Sequence, residues 1–419
     1  MIYIHRNNFS RLAMDHYNNY FLKLGLDKKL CNLFEEESNP IKKSFYKRLY
    51  EDNKKIIIGK PDEIYKFLEE LFHNHLEIMN ALTNTQDNIK KLNEKLKDTK
   101  AQLKLIERKR RGINISADER KDLNREKKRL IKCIGNISNS IELEKQSQVL
   151  GEEIRNDLTQ NRSKNNGKGN SEDNSIFNYS KFRSYDRDGN PNKYGGYAFI
   201  QKLGINVCPY CNRIFTHSHI NQGKAKATPQ LDHFYSKKNY PFLSLSFYNL
   251  IPSCENCNSR LKGSKDFYKN PHLHPYENGF DDYLQFKIKL VKSKSKKDYV
   301  SIWTNQSTDA FEIILDKNEA PLVMPRDPEF FNKAELNIET FQLREMYQFH
   351  KDYVAELLMK AMIYNKDGIQ HVINTFPELF KTREEAMRLI TSNYVSLPDL
   401  EKRVLAKLTR DICTDLKWL

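Results

Sequence analysis

No run in this sequence is apolar enough to cross a bilayer, and no apolar h-region follows the start MIYIHRNNFSRL. Neither a membrane protein nor a secreted one is expected, and the chain reads as cytoplasmic. It also lacks a Gly-Lys-Ser/Thr phosphate loop, so it has no nucleotide-hydrolysing P-loop of its own. Apolar residues are scarce. With 38% hydrophobic and 30% charged residues over 419 positions, much of the chain must be solvated surface or extended helix, though it is long enough for two or three cores. Cysteine is sparse at seven, and Cys31, Cys133 and Cys413 stand alone in helical patterns, where they read as small buried hydrophobes.

The other four cysteines form two Cys-x-x-Cys pairs, Cys208-Pro-Tyr-Cys211 and Cys254-Glu-Asn-Cys257. A tetrahedral zinc site needs four soft donors, and two intervening residues let both sulfurs of a pair face one ion. In a reducing compartment such pairs are metal ligands more often than disulfides. Leu231-Asp232-His233-Phe234 and Asn249-Leu250 stand between the pairs, and Asn258 and Lys262-Gly263 follow the last cysteine. Hydrolysing a phosphodiester needs an activated water and neutralisation of charge on the phosphate. Histidine supplies a base near neutral pH, and Asp and Asn oxygens hold Mg²⁺ or Mn²⁺ with positions left open. Asp232, His233 and Asn258 are those residue types, and a structural zinc would pin the loop of Cys208 to the helix of Asn258.

The net charge of +15 favours a polyanion as partner, nucleic acid first. Residues 90–111 carry ten Lys or Arg against three Asp or Glu. They fall in a longer pattern. From Leu68 to Ile106 an unbroken alternation of three- and four-residue steps predicts one helix over 62–110 with a coiled-coil seam, its polar positions being His75, Thr85 and Thr99. Arg111-Gly112-Ile-Asn breaks it. Ser116-Ala-Asp-Glu119 is a capping box that opens a second helix with Leu123, Leu130, Ile134, Ile137 and Ile141 on one face. Two such helices make an antiparallel hairpin over about 62–158, an arm on the order of 60 Å long. Its tip, Arg108 to Arg111, fits contact with a partner or nucleic acid, or equally a solvated end of a dimerisation rod.

The expected organisation is α+β. Residues 1–160 are helical and carry the arm, and 161–195 form a polar linker. Residues 196–280 hold the cysteine-stapled core, and 281–419 run from strands into helices. Within these, Gly196 to Leu203 reads as a helix. Residues 213–220 and 228–234 read as a strand and its return around Asn221-Gln-Gly223, and Cys257-Asn258 open a helix that Gly263 ends. Strands are expected at Leu284–Leu290, Tyr299–Trp303 and Phe311–Leu315. Lys292, Lys294, Lys296 and Lys297 lie between two of them, in reach of a phosphate. Leu357, Leu358, Ala361 and Met362 are candidate core residues of the C-terminal helices.

The stretch from Cys208 to Gly263 resembles the HNH endonucleases, whose ββα-metal core carries a four-cysteine zinc knuckle. That family reads CxxC, DH, NL, CxxCN and KG in this order. The resemblance implies His233 as general base and Asp232 as a ligand of Mg²⁺ or Mn²⁺, with Asn258 as the second ligand. It implies Asn249 as the residue that ties the loop and orients His233, and products with a 5′-phosphate and a 3′-hydroxyl. The wording Asp-His-Phe-Tyr-Ser236-Lys237 is similar to the HNH components of Septu-type and retron-associated anti-phage systems, with Ser236 where relatives often have Pro. Those act with a separate ABC-like ATPase. The resemblance covers about 56 residues and leaves the arm outside it. DNA is the substrate it implies, with RNA such as tRNA as the alternative. A zinc module that binds nucleic acid or protein without cutting is the rival reading. His217 and His219 read as surface or packing residues, and His272 and His274 as loop histidines within possible reach of a phosphate. Lys262 reads as a phosphate contact or a solvated helix end, and Tyr210 and Phe234 as core.

Overall fold

Leu68, Leu71, Ile78 and Leu82 keep their helical spacing and are all buried, but in the body of the protein rather than in a coiled coil. The computed structural model describes all residues except 112–115, 161–174, 189, 191–192, 222–223, 292–307, 320 and 322. In it the single helix expected over 62–110 is three: Pro61–Asn74, Leu76–Thr83 and Thr85–Arg110. The breaks fall at His75, with φ -131° and ψ 42°, and at Asn84, with φ -115° and ψ -25°. Neither residue is a strong helix former, so packing against the body wins over a straight rod.

The arm itself is Thr85–Arg110 lying antiparallel on Ala117–Thr159. The shorter helix has 26 residues. At about 1.5 Å per residue it is roughly 39 Å long, shorter than the sequence suggested because 61–83 belongs to the body. Thr99, Ile106, Ile137 and Ile141 are buried along its seam. Across it Lys127 pairs with Glu107 at 2.8 Å, and Asn88 donates to Glu144 at 3.0 Å. The capping box at Ser116 and Glu119 forms as expected. The break at 112–115, the polar segment 161–174, the turn at 222–223, the strand Tyr299–Trp303 and the lysines from Lys292 to Lys297 lie outside the described residues.

Three two-stranded antiparallel sheets are present among the described residues. They pair β1 (His219–Asn221) with β2 (Lys224–Ala227), β3 (Gln230–His233) with β4 (Leu250–Ser253), and β5 (Leu284–Leu290) with β6 (Phe311–Lys317). The strand expected over 213–220 is cut to its last residues. Its backbone is used instead to wrap the first cysteine pair, with Cys208 N donating to Ile214 O and Thr216 N to Asn206 O. The return strand is interrupted before β3, where Pro229 has no N–H to give a ladder. β3 therefore pairs with β4, and Asp232 faces Ile251 across the ladder while His233 faces Leu250. The helix Gly196–Leu203 is found as expected, and the turn of helix Asn256–Lys262 ends at Gly263 in a positive-φ conformation, φ 52°.

One hydrophobic cluster runs from Met1 to Ile412 and joins the N-terminal helices, the cysteine segment and the C-terminal part. The C-terminal helix Ala406–Asp415 grips β5 through Asp411, which accepts from Phe286 N at 2.9 Å. This helix and the turn before it also hold the first cysteine pair: Asn212 donates to Leu400 O in the turn and accepts from Lys407 N in the helix, each at 3.0 Å. Leu357 and Leu358 are buried, and Ala361 packs on a smaller C-terminal cluster, but Met362 is 49% exposed and is not core. Of the lone cysteines, Cys413 is buried and Cys31 and Cys133 are half-buried.

The arm is bolted to the body where Gly151 crosses the helix Leu76–Thr83. A Cβ on Gly151 would lie 2.3 Å from the carbonyl oxygen of Ala81. Gly151→Ala is expected to lower unfolding stability by about 1–3 kcal/mol through forced separation of the two backbones, read as a shift of the urea midpoint.

Candidate functional site

The four paired cysteines converge. All are buried, and their sulfurs lie within 4.8 Å of one another, with Cys211 and Cys254 3.9 Å apart. Tetrahedral Zn–S bonds of about 2.3 Å place sulfurs roughly 3.8 Å apart, so the set is able to hold a zinc ion. Local backbone bonds shape each half: Asn212 N donates to Cys208 O at 2.7 Å, and Asn258 N to Cys254 O at 3.0 Å. Asn212 takes φ 51° to make the first turn. Burial pushes the Cys208 thiol well up, while hydrogen bonds from Cys208 pull Cys211 and Cys254 down. Four thiols this close cannot all ionise unaided, which is what a cation among them would permit.

β3 projects Asp232 and His233 to opposite sides, as neighbours on a strand must. Asp232 turns toward the cysteines. It is 2% exposed, and Tyr210, from within the first cysteine pair, donates its hydroxyl to Oδ2 at 2.5 Å. Lys262, at the end of the following helix, donates to Oδ1 at 2.6 Å and also to the carbonyl of His233. Lys262 is therefore neither a solvated helix end nor an open phosphate contact. Burial pulls its ammonium below the usual lysine range, and Asp232 opposes that fall.

His233 turns the other way. Its Nε2 lies 3.0 Å from Ser244 O, and its ring meets Tyr179 edge-on at 4.4 Å. A carbonyl oxygen can only accept, so Nε2 carries the proton and Nδ1 keeps the lone pair. Burial, with Lys237 and Lys262 nearby, lowers its pKa to about 3. The imidazole is thus neutral throughout the physiological range. The Lys237 ammonium stands 4.3 Å over the Tyr179 ring, and the Tyr179 hydroxyl donates to Leu231 O at 3.3 Å.

Asn249 closes the loop between β3 and β4. Its Oδ1 accepts from Tyr235 N at 2.7 Å, and its Nδ2 donates to Tyr235 O at 3.0 Å and Leu243 O at 2.9 Å. Leu243 adjoins Ser244, so this tie fixes the carbonyl that holds His233. Asn258 is half-buried and donates Nδ2 to Gln230 Oε1 at 2.8 Å, a partner it shares with Ser259. Its carbonyl oxygen is the atom with capacity for a cation. Among the described residues none of these bonds joins Asp232, His233 and Asn258 side chains to one another; Lys262 and Gln230 mediate between their elements.

The remaining histidines lie elsewhere. His217 and His219 are exposed. His272 stacks on Phe267 at 3.7 Å and meets Asn270 O and Thr340, while His274 packs 4.2 Å from Phe234 and accepts from Tyr276 N. Both are core residues. Tyr210 and Phe234 are buried as the sequence suggested. Tyr179 escaped sequence reasoning. It stands before the cysteine stretch, and its spacing gives no signal.

With this geometry in view, the chain is 26% identical over 117 residues to the Septu protein PtuB of Bacillus thuringiensis. The match takes in 27% of this chain and 42% of that protein, so the chain spans less than half the length of this relative. No protein-family model matches the chain, and no solved structure does.

Two measurements check the site. Cys257→Ser is expected to cut zinc content, measured by atomic absorption, and to lower the melting temperature, whereas Cys133→Ser leaves both unchanged. The second concerns acid. His16, His233, His272 and His274 have folded-state pKa values of about 4, 3, 4 and 3. An unfolded histidine titrates near about 6.5, so on acidification the unfolded chain takes up these protons first. Stability is complete above that value and falls as pH drops toward the folded values. Glu277, Glu401 and Asp411, raised by burial to about 7, 7 and 6, take up protons in the folded state over the same range and oppose part of this loss, while the Met1 amine, lowered by burial to about 5, adds to it. The melting temperature is expected to decline from neutral pH toward pH ~5.5, and a rise over that range would contradict the four buried neutral imidazoles.

Proposed function

We propose that the chain is a metal-dependent HNH endonuclease that cuts DNA as the effector of an anti-phage defence system. The observation that carries this reading is the placement of His233: Ser244 O takes the Nε2 proton and leaves Nδ1 as the ring's acceptor, at the end of a strand whose hairpin and helix are stapled by four cysteines. Burial makes that nitrogen a weak base in the free protein, and a bound phosphate would raise its affinity for a proton. The similarity to a Septu protein supports the defence role. In this reading β3, β4 and the helix Asn256–Lys262 are the ββα-metal core, and the cysteines hold a structural zinc. The DNA strand and a separate ABC-like ATPase are the partners.

His233 Nδ1 takes a proton from water, and the water oxygen attacks phosphorus. The bond to the 3′-oxygen breaks, the 3′-oxyanion takes a proton from solvent water, and His233 later returns its proton to solvent, leaving a 5′-phosphate and a 3′-hydroxyl. Asp232 and Asn258 offer the carboxylate and carbonyl oxygens that suit Mg²⁺ or Mn²⁺. Because His233 leaves the last position of β3 on the other side, the phosphate would have to lie across the end of that strand to meet both. Tyr210 and Lys262 use one site on each Asp232 oxygen, and a carboxylate has about four. The ion, when bound, neutralises charge on the phosphate and the leaving oxygen. Asn249 acts through the loop, holding Ser244 so that His233 cannot rotate.

One observation favours a second reading. Asp232 is already balanced by the buried ammonium of Lys262, as expected of a structural carboxylate in a zinc module that binds nucleic acid without cutting it. The assay that separates the two incubates the protein with plasmid DNA and with total RNA, in Mg²⁺ or Mn²⁺, alone and with the product of the neighbouring gene. Wild type is expected to cut DNA. His233→Ala is expected to lose at least about 100-fold in rate, the scale of a general base, with zinc content unchanged. Cutting of RNA alone would move the substrate, and binding without any product would establish the module.

A further inference from the structure

The two loops that leave the candidate site meet again at a second cavity. The loop after β3 brings Lys238, and the loop after the helix of Asn258 brings Lys265 and Lys269. Arg155 enters from the arm, and the first residues of the arm helix, Thr85 to Asp87, complete the wall of this space of about 250 Å³. Four cations here face two carboxylates, Asp87 and Asp266. Asp266 is engaged by neutral donors: Asn239, the hydroxyl of Tyr240 and the backbone N–H of Tyr268, each at 3.0 Å.

The cations are held by neutral acceptors as well. Arg155 donates to Lys238 O at 2.9 Å and Leu82 O at 2.8 Å. Lys238 Nζ donates to Gln86 Oε1 at 2.6 Å, Lys269 Nζ to Thr83 O at 3.2 Å, and Lys265 Nζ to Thr340 Oγ1 at 3.4 Å. Among the described residues none of the four forms an ion pair. Hydrogen bonds place these side chains without cancelling their charge. The 26-residue helix Thr85–Arg110 adds to the excess, because no side chain caps the N-terminus it presents here. Such a cavity suits a small dianion or monoanion with several oxygens, which is the chemistry of a phosphate.

We propose that this cavity binds a backbone phosphate of the nucleic-acid strand whose scissile phosphate lies at His233. The inference rests on the nuclease reading and extends it: the strand is gripped at the base of the arm by residues of both site loops. The strand is a better source than free phosphate because the positive charge continues outward. The helix that starts at the cavity and its cap residue Arg111 carry ten Lys or Arg against three acids over 90–111. A chain of phosphates leaving the site would follow it.

The test uses full-length protein in a His233→Ala background, so that no product forms, and reads binding of a fluorescent DNA duplex and single strand by anisotropy across a salt series. Lys265→Gln with Lys269→Gln, both exposed positions, is compared with Lys366→Gln plus Lys381→Gln, which removes the same charge at exposed positions that do not line the cavity. The cavity pair is expected to weaken binding several-fold for every sequence and to make the log K against log salt slope shallower by about 1. The control pair leaves the slope unchanged. Melting temperature and zinc content stay at the parent's values in both. An unchanged slope in the cavity variant, or an equal change in the control, overturns the proposal. So does a loss confined to inorganic phosphate, measured by calorimetry, with nucleic-acid binding intact. A protein that cuts DNA with an unaltered slope fails on the cavity alone, whereas one that neither binds nor cuts nucleic acid fails on both readings.

Discussion

An ammonium and a carboxylate, each with 2% of its side chain exposed, stand 2.6 Å apart at the centre of this molecule. Taking two charges out of water costs several kcal/mol per ion, and attraction between them offsets that only when their remaining bonding capacity is used. Here it is. Tyr210 serves the second oxygen of Asp232, and the His233 carbonyl serves Lys262. The consequence is connectivity. Tyr210 lies between Cys208 and Cys211, and Lys262 ends the helix that contains Cys257. The same two segments that the four sulfurs bring together are thus joined again through Asp232. Removing one charged partner would strand the other, at a cost on the order of 3–5 kcal/mol, so the strand bearing His233 is fixed relative to the cysteines by charge as well as by sulfur.

His233 gains its properties from the opposite side of that strand. Three hydrogen bonds from one side chain, that of Asn249, close the loop that carries Ser244. A buried amide must satisfy its groups or lose about 1–3 kcal/mol for each one left bare, so the loop has one low-energy geometry. In it, a carbonyl meets Nε2 and sets the tautomer. Burial, Lys237 and Lys262 then all oppose a second proton. Asp232 and His233 share two adjacent positions yet serve different ends. One organises the staple, and the other presents a lone pair.

The sequence disclosed what is local and concealed what depends on distant segments. Cysteine spacing is local, so the four sulfurs were legible, as were the capping box at Ser116, the helix Gly196–Leu203 and the strand at Leu284–Leu290. The seam from Leu68 to Ile106 was legible as a period but not as three helices, because the same spacing serves a helix on a globular body and a helix in a rod. Pairing of β3 with β4 was hidden by the closed loop between them, whose return depends on Asn249. Lys262 looked like a solvated helix end. Its burial is decided by Asp232, 30 residues earlier in the chain, whose carboxylate draws the ammonium inward over the ring of the nearby Phe267 at 4.8 Å. Tyr179 lies farther still, ahead of the cysteine stretch altogether.

The arm poses a mechanical question that its charge alone does not answer. A two-helix rod of this composition buries little, and its seam is part threonine, so its position relative to the body must be set at its base. Gly151 against Ala81 fixes the distance there, and Arg155 fixes the direction. The guanidinium of Arg155 spans two structures. One bond reaches the Leu82 carbonyl at the foot of the arm, and the other reaches the Lys238 carbonyl in the loop that follows His233. Lys238 returns the link through Gln86, within the first turn of the arm helix. A displacement of the arm therefore strains bonds that terminate five residues from His233, and the strand proposed to sit beside Lys238 would load the same bonds from the other end. A second path runs beside this one: Phe177 N donates to Leu158 O near the end of the long arm helix, Ser244 Oγ donates to Phe177 O, and the Ser244 carbonyl holds His233, so arm and site are joined through both loops.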